Sequence, residues 1–173
     1  KKDGSKRLLG IPTVSDRIAQ KFIKNYMEPR LEEVFHPSSY GYRRGRSAYY
    51  ALAQCTINSR RHEWLIDLDI QGFFDNLDHE LLLRALEVHF KEKWILMYVE
   101  RWLKAPIEEE NGRKIPNTRG APQAGVISPL LPNLFLHYGL DKWLTKYHPQ
   151  VAFERYADYI VIHCDCYSQA QLL

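Results

Sequence analysis

An α+β domain is what this 173-residue sequence predicts, and three observations carry that expectation. Apolar residues recur at helical spacing in several stretches and at strand spacing in others. The two strand-like stretches nearest the C-terminus are joined by only two residues, Ala157-Asp158, which makes them a hairpin. Helices and strands alternate along the chain rather than segregating into halves.

The elements follow in order. Ser15 is placed to cap a helix whose Ile18, Phe22, Ile23, Tyr26 and Met27 share a face, and Pro29 should break or bend it. Ser47 opens a short helix through Ala48, Ala51, Leu52 and Cys55. A strand over 64–70 alternates Trp64, Ile66, Leu68 and Ile70 on one face with Asp67 and Asp69 on the other. Asp78 caps a helix along Leu82, Leu83, Ala85, Leu86 and Phe90, and a second runs through Trp94–Leu103. Asn111-Gly112 predicts a two-residue hairpin turn between Ile107 and Ile115. Ser128-Pro129 reads as a helix start, with the helix running to about Thr145 on Leu130, Leu134, Leu140 and Leu144. Strands over 151–156 and 159–164 complete the pattern.

Composition bounds the possibilities. Hydrophobic content of 45% and charged content of 26% are ordinary for a water-soluble domain. No apolar run approaches the length of a membrane span. The chain begins at Lys1 rather than Met and stops in mid-pattern, so a fragment of a longer protein is expected. Cys55, Cys164 and Cys166 form no zinc or disulfide framework, and His62, His79, His137, His148 and His163 lack ligand spacing. Trp64, Trp94, Trp102 and Trp143 fall on apolar faces and are expected in the core. The net charge of +3 conceals a polarity: residues 1–61 hold 13 Lys/Arg against 5 Asp/Glu, a balance of +8, and residues 62–173 hold 11 against 16, a balance of −5. A basic part for phosphates beside an acidic part for cations accounts for this.

The chemistry concentrates at two acidic spots, Asp69 in Trp64–Ile70 and Asp158 in Arg155–Ile162. Each carboxylate ends an apolar strand-like run, where an uncompensated charge is costly. Hard cations such as Mg²⁺ remove that cost, because they bind carboxylate and phosphate oxygens. Two such ions about 4 Å apart serve in-line phosphoryl transfer. Arg43, Arg44 and Arg46 lie among Tyr40, Tyr42 and Gly45, an interleaving that suits a single-stranded nucleic acid.

Five segments then occur in a telling order: Lys1–Thr13 continuing to Asp16-Arg17, Ser39–Ser47, Asp69–His79, Pro122–Leu131 and Tyr156-Ala157-Asp158. Their content and order resemble the reverse transcriptases encoded by group II introns and their bacterial relatives. The resemblance covers nearly the whole chain. It implies a right-hand polymerase with an antiparallel palm sheet and packed helices. Fingers would occupy 1–61 with a hairpin region at about 105–127, the palm 62–104 and 128–173, and the thumb would lie beyond Leu173.

What the resemblance implies for function is specific. Asp69 and Asp158, with the Ile70 carbonyl, would hold Mg²⁺, with Mn²⁺ as the alternative. Lys1 and Arg7 would clamp the nucleotide triphosphate, Gln123 would line its pocket, and Phe74 would act as a steric gate beside the sugar. Arg43, Arg44 and Arg46 would bind the template. The partners would be an RNA template, a DNA primer, deoxynucleotide triphosphates and the parent intron RNA. The setting would be the bacterial cytoplasm, nucleoid or a ribonucleoprotein, without a membrane.

The sequence also departs from the family pattern. Tyr159 stands where a second Asp usually follows Asp158, Ala124 where Gly is usual, and Leu8 where Pro is usual. Pro132, in the first turn of the helix after Ser128, would press its ring on the Ser128 carbonyl, and Gly139 weakens the same helix by about 1 kcal/mol relative to Ala. The family's enzyme activity is therefore one expectation, and a catalytically degenerate, maturase-like RNA-binding protein the alternative. A metal-dependent phosphohydrolase would leave the first, second and fourth segments unexplained. Asp67, on the face of Asp69 and about 7 Å along the strand, either compensates for Tyr159 or pairs with a nearby cation, and the ion pair is the preferred expectation.

Overall fold

A computed structural model describes residues 10–109, 111–122 and 125–173. Its elements run α1 (Val14–Glu32), α2 (Ala48–Ser59), β1 (Trp64–Asp69), α3 (Phe73–Asn76), α4 (His79–His89), α5 (Lys93–Lys104), β2 (Ile107–Glu108), β3 (Lys114–Ile115), α6 (Leu130–Leu136), α7 (Lys142–Tyr147), β4 (Ala152–Tyr156), β5 (Tyr159–Cys164) and α8 (Tyr167–Leu172). A π-helical turn, His137–Asp141, separates α6 from α7. The chain divides into two compact units. One is Lys1–Leu31 with Gly72–Phe135, and the other is Glu32–Gln71 with Leu136–Leu173.

The first unit is helical, with the short β2–β3 hairpin. Thr13, not Ser15, caps α1: its Oγ1 accepts from the Asp16 N–H at 3.2 Å and donates to the Asp16 carboxylate at 2.7 Å. Pro29 lies inside α1, which continues past it to Glu32. The buried face of α1 is Gln20, Ile23, Met27, Glu28 and Leu31, so the expected face is rotated and Ile18 and Phe22 are exposed. Asp78 caps α4 as expected, accepting from the Leu81 N–H at 3.0 Å. Tyr26 and Arg30 of α1 both donate to Glu92 beside α5, at 2.6 and 2.9 Å.

Turn chemistry corrects one expectation. The β2–β3 register pairs Ile107 with Ile115 and Glu108 with Lys114, which centres the hairpin on Asn111 rather than between Asn111 and Gly112. The Glu109 N–H donates to the Arg113 carbonyl and the Gly112 N–H to the Glu109 carbonyl, with Gly112 at φ +81°. The connection is therefore an odd-numbered, bulged turn with glycine in its left-handed position. The helix expected from Ser128 to Thr145 is likewise three segments, starting at Leu130 and widening into the π turn that contains Gly139.

The second unit is built on an antiparallel sheet in the order β1-β5-β4. Strand alternation sends Ile66, Phe153, Ile160 and Ile162 to one face, where they pack with Leu140, Leu144, Val151 and Cys164. Ile70, just beyond β1, joins them, as do Ala170 and Leu173 from α8 and the C-terminus. The opposite face carries Asp67, Asp69, Tyr159, Val161, His163 and Glu154 by register, and α2 packs on its β4–β5 side. The tryptophans expected in the core are half-exposed at Trp64, Trp94 and Trp143. Trp64 instead lies 4.9 Å from the Tyr167 ring on α8.

Candidate active site

The two acidic spots meet at one end of the β1-β5-β4 sheet. Asp69 is the last residue of β1 and pairs in register with Tyr159, the first residue of β5. The ladder continues one step further, because the Ile70 N–H donates to the Asp158 carbonyl at 3.2 Å. Asp69, Ile70 and Asp158 are therefore neighbours although 88 or more residues separate Asp158 from the other two in sequence. Asp69 is exposed and Asp158 partly so. Among the described residues, neither carboxylate has a hydrogen-bonding or ion-pair partner. Two uncompensated carboxylates converging at a strand end and a tight turn fit a hard divalent cation, which takes oxygen ligands of this kind.

The turn carrying Asp158 is held from several sides. Ala157 sits at φ +59°, a left-handed conformation that costs a non-glycine residue about 1–2 kcal/mol. Arg155, wholly buried, aims Nε and Nη2 at the two Asp141 carboxylate oxygens, both at 2.7 Å, and Nη1 at the Ala157 carbonyl at 3.1 Å. Asp141 comes from the end of the π turn, so that irregularity supplies the acceptor. His137, one turn earlier, does not share the charge, since burial pulls its pKa down to about 4. On the edge of β4, the Arg155 N–H donates to the Ser38 carbonyl and the Tyr40 N–H to the Arg155 carbonyl, each at 2.8 Å. The chain then passes so close to the turn that a Cβ on Gly41 would lie 2.4 Å from the Ala157 nitrogen.

The three arginines of the second segment differ in environment. Arg43 points inward: its side chain is 4% exposed, it donates to Glu32 and to the His36 and Ser39 carbonyls, and it stacks over Phe35. Desolvation and a Glu32 Oε1 that accepts from both Nε and Nη2 commit it to shaping the loop. Arg46 donates to the Pro37 carbonyl at 2.6 Å and lies over the Tyr40 ring, while Arg44 is exposed. Asp67 is exposed on the face of Asp69 and, among the described residues, does not form the expected ion pair.

In the helical unit, the adjacent phenylalanines separate. Phe73 is buried against Phe135, whereas Phe74 lines a cleft of about 220 Å³ with Gly10, Arg119 and Pro122. Gly10 and Pro122 touch, since a Cβ on Gly10 would lie 3.2 Å from the Pro122 Cβ. The first and fourth sequence segments thus meet beside Phe74. Lys1, Arg7 and Gln123, assigned to the nucleotide from sequence, lie outside the described residues.

Sequence reasoning missed the supports. Gly120 at φ +84° lies so near the Phe74 and Asp75 carbonyls that a Cβ would come within 2.8 Å of both, and its own carbonyl meets His79 Nε2 at 2.7 Å. Gly41, Asp141 and Arg155 act through contacts with no local signature. The glycines offered the only sequence signal, as positions where a side chain is conspicuously missing.

Over residues 1–173 the chain matches the family described as reverse transcriptase (RNA-dependent DNA polymerase). It belongs to that family, whose members work with divalent metal ions. Its curated relatives include the group II intron-encoded protein LtrA of Lactococcus lactis subsp. cremoris, 36% identical over 147 residues, or 84% of this chain and 24% of that protein. Protein YkfC of Escherichia coli K12 is 34% identical over 151 residues, 84% of this chain and 39% of the relative. The chain therefore spans roughly a quarter to two-fifths of these relatives' length. Among solved structures, apo telomerase from Candida tropicalis aligns with a TM-score of 0.60 at 13% identity, covering 91% of this chain and 35% of that one, a likeness of fold alone. The partial Cas6-RT-Cas1–Cas2 complex aligns at 0.55 and 29% identity, covering 96% and 29%. The family and the polymerase fold expected from the five segments are borne out. Among the described residues, no helix is long and apolar enough to cross a membrane.

Proposed function

We propose that this chain is the fingers and palm of a group II intron-type RNA-directed DNA polymerase, with fingers at 1–61 and about 105–127 and palm at 62–104 and 128–173. The observation that carries this reading is the convergence of Asp69, Ile70 and Asp158 at one end of the sheet. Asp69, Asp158 and the Ile70 carbonyl would hold Mg²⁺, or Mn²⁺ in its place. Cations held there would lower the pKa of the primer 3′-hydroxyl and offset the charge of the departing pyrophosphate. The 3′-oxygen bonds to the α-phosphorus, the bond to the bridging oxygen of the β-phosphate breaks, and the hydroxyl proton leaves to solvent.

The chain's other residues bind and select. Lys1, Arg7 and Gln123 contact the triphosphate. Phe74 excludes a 2′-hydroxyl by volume, so deoxynucleotides are chosen. Arg44 and Arg46, with the Tyr42 ring, face the RNA template, and Arg43 fixes the loop that carries them. The parent intron RNA is the natural template and partner.

One observation favours a second reading. Tyr159 is exposed in register with Asp69, so an uncharged phenol stands where a carboxylate would add to the cation-attracting field. In that reading the fold is retained as a maturase-like RNA-binding surface. Primer extension on RNA by the full-length polypeptide, unaltered and as Tyr159→Asp, decides between them. Extension by the unaltered protein, abolished by Asp69→Ala, supports the polymerase. Silence rescued by Tyr159→Asp identifies a polymerase disabled at one site, and silence in both, with RNA binding retained, supports the second reading.

A further inference from the structure

A second cluster lies on the sheet face covered by α2. Cys55 of α2, Glu154 of β4 and His163 of β5 each present one potential ligand atom, and these atoms lie within 4.8 Å of one another. Register explains the meeting: Glu154 and His163 both alternate away from the Phe153–Ile162 face, and α2 crosses above them. Glu154 and His163 are nearly inaccessible, at 4% and 1% exposed, and Cys55 is half-buried. Glu154 accepts from Asn58 Nδ2 at 2.6 Å and meets His163 Nε2 at 2.7 Å.

As a purely protonic cluster this arrangement is incomplete. Among the described residues, His163 Nδ1 is buried without a partner. If His163 is protonated, that N–H lacks an acceptor. If it is neutral with Nε2–H donating to Glu154, the buried carboxylate has two hydrogen bonds but no counter-charge, and the Nδ1 lone pair lacks a donor. If the proton sits on Glu154 instead, the Nδ1 N–H lacks an acceptor. Burial pushes the Cys55 thiol up, its Ser59 contact pulls the other way, and the Glu154 charge adds to the rise, so a thiolate here requires a cation. Thiolate, carboxylate and neutral imidazole together carry two negative charges, which one divalent cation cancels.

We propose that Cys55, Glu154 and His163 form a binding site for one zinc-class divalent cation, distinct from the Asp69–Asp158 site. Tetrahedral zinc with ligands at about 2.0–2.3 Å keeps donors roughly 3.3–3.8 Å apart, so side-chain shifts of about an ångström close the set. Water fills the fourth position, the Cys55 proton passes to solvent, and Asn58 keeps its bond to Glu154 as the outer support. The ion would staple α2 to β4 and β5. Sulfur and imidazole donors select zinc over Mg²⁺, so the site is independent of polymerase chemistry.

The test uses purified protein stripped with chelator under reducing conditions. A thiolate-to-cobalt charge-transfer band should grow to saturation at one equivalent of cobalt(II), and Cys55→Ser should remove it while Cys166→Ser leaves it intact. Zinc(II) should raise the melting temperature and protect Cys55, but not the exposed Cys166, from alkylation mapped by mass spectrometry. The alkylation readout needs no variant, so a Cys55→Ser protein that fails to fold leaves the proposal testable. A missing band, a band surviving Cys55→Ser, or unprotected Cys55 at saturating zinc overturns it. Polymerase activity enters none of these readouts, so failure here and failure of the polymerase reading are separable.

Discussion

Gly41→Ala tests whether the Ser38–Gly41 strip positions the Asp158 turn. An added Cβ would sit 2.4 Å from the Ala157 nitrogen and 3.1 Å from both the Ala157 Cα and the Tyr156 carbonyl carbon. Restoring ordinary contact at 3.4 Å requires about 1 Å of separation. The strip cannot easily retreat, since Ser38 and Tyr40 are hydrogen-bonded to Arg155 on both sides. The turn yields instead, carrying Asp158 away from Asp69. Overpacking of this kind costs about 1–3 kcal/mol, and a displacement of about 1 Å at a reacting centre costs about 10²-fold in rate. In the full-length polypeptide, the rate of first-nucleotide addition at saturating deoxynucleotide should fall about 10²-fold, with the nucleotide Kd little changed and the melting temperature lowered by several degrees. A rate within threefold of the parent, in a protein whose melting temperature has dropped, would sink the argument that this contact sets the position of Asp158.

Three further outcomes follow from the same contacts. Asp141→Ala removes the carboxylate that neutralises the wholly buried Arg155 guanidinium and should destabilise by about 3–5 kcal/mol in chemical denaturation; a loss under 1 kcal/mol would mean that its remaining hydrogen bonds, the one to the Ala157 carbonyl among them, suffice for the buried charge. His137→Phe should stabilise the protein in acid. Burial lowers the His137 pKa from 6.5 to about 4, so neutral His137 is required by the fold and stability is lost as pH falls from 6.5 towards 4. Melting curves of parent and variant should diverge below pH 6.5, by up to about 3 kcal/mol near pH 4, and parallel curves would refute it. Asp67→Asn should raise the Mg²⁺ concentration needed for half-maximal extension severalfold, because Asp67 shares the Asp69 face without an ion-pair partner among the described residues; an unchanged Mg²⁺ curve discards a compensating role.

How much of this was legible in the sequence depended on whether the signal was local. Period-two alternation put Asp67 and Asp69 opposite Ile66 and Ile70, and the structure keeps that division. The caps Ser47 and Asp78 and the Ala157-Asp158 turn were legible because a cap or turn is decided by its own few residues. The buried face of α1 was misassigned because Ile18 and Phe22 fit a helical stripe as well as Ile23, Met27 and Leu31 do, and only tertiary packing chooses between them. The Asn111-Gly112 turn slipped by half a residue pair, since Gly112 satisfies a bulged turn as readily as a two-residue one. Arg43 looked like its neighbours in sequence, and contacts distant from its own segment, the Glu32 carboxylate and the His36 carbonyl among them, hold it inward. The Cys55, Glu154 and His163 cluster had no spacing to read, because it is assembled across a helix and two strands.

Tyr159 separates two things that a second aspartate would combine. Its backbone does what the fold asks, pairing with Asp69 on one side and Tyr156 on the other. The turn's geometry is set instead by Arg155, Asp141, Gly41 and the Ile70–Asp158 hydrogen bond, none of which involves the Tyr159 side chain. What the phenol changes is charge: one fewer carboxylate within reach of Asp69, and an exposed ring beside it. Tyr159→Asp should therefore leave the melting temperature within a few degrees while lowering the Mg²⁺ requirement, a split between stability and cation affinity. A large stability loss on that substitution would mean the ring is packed into the sheet end as structure, and the charge argument for this position would fail.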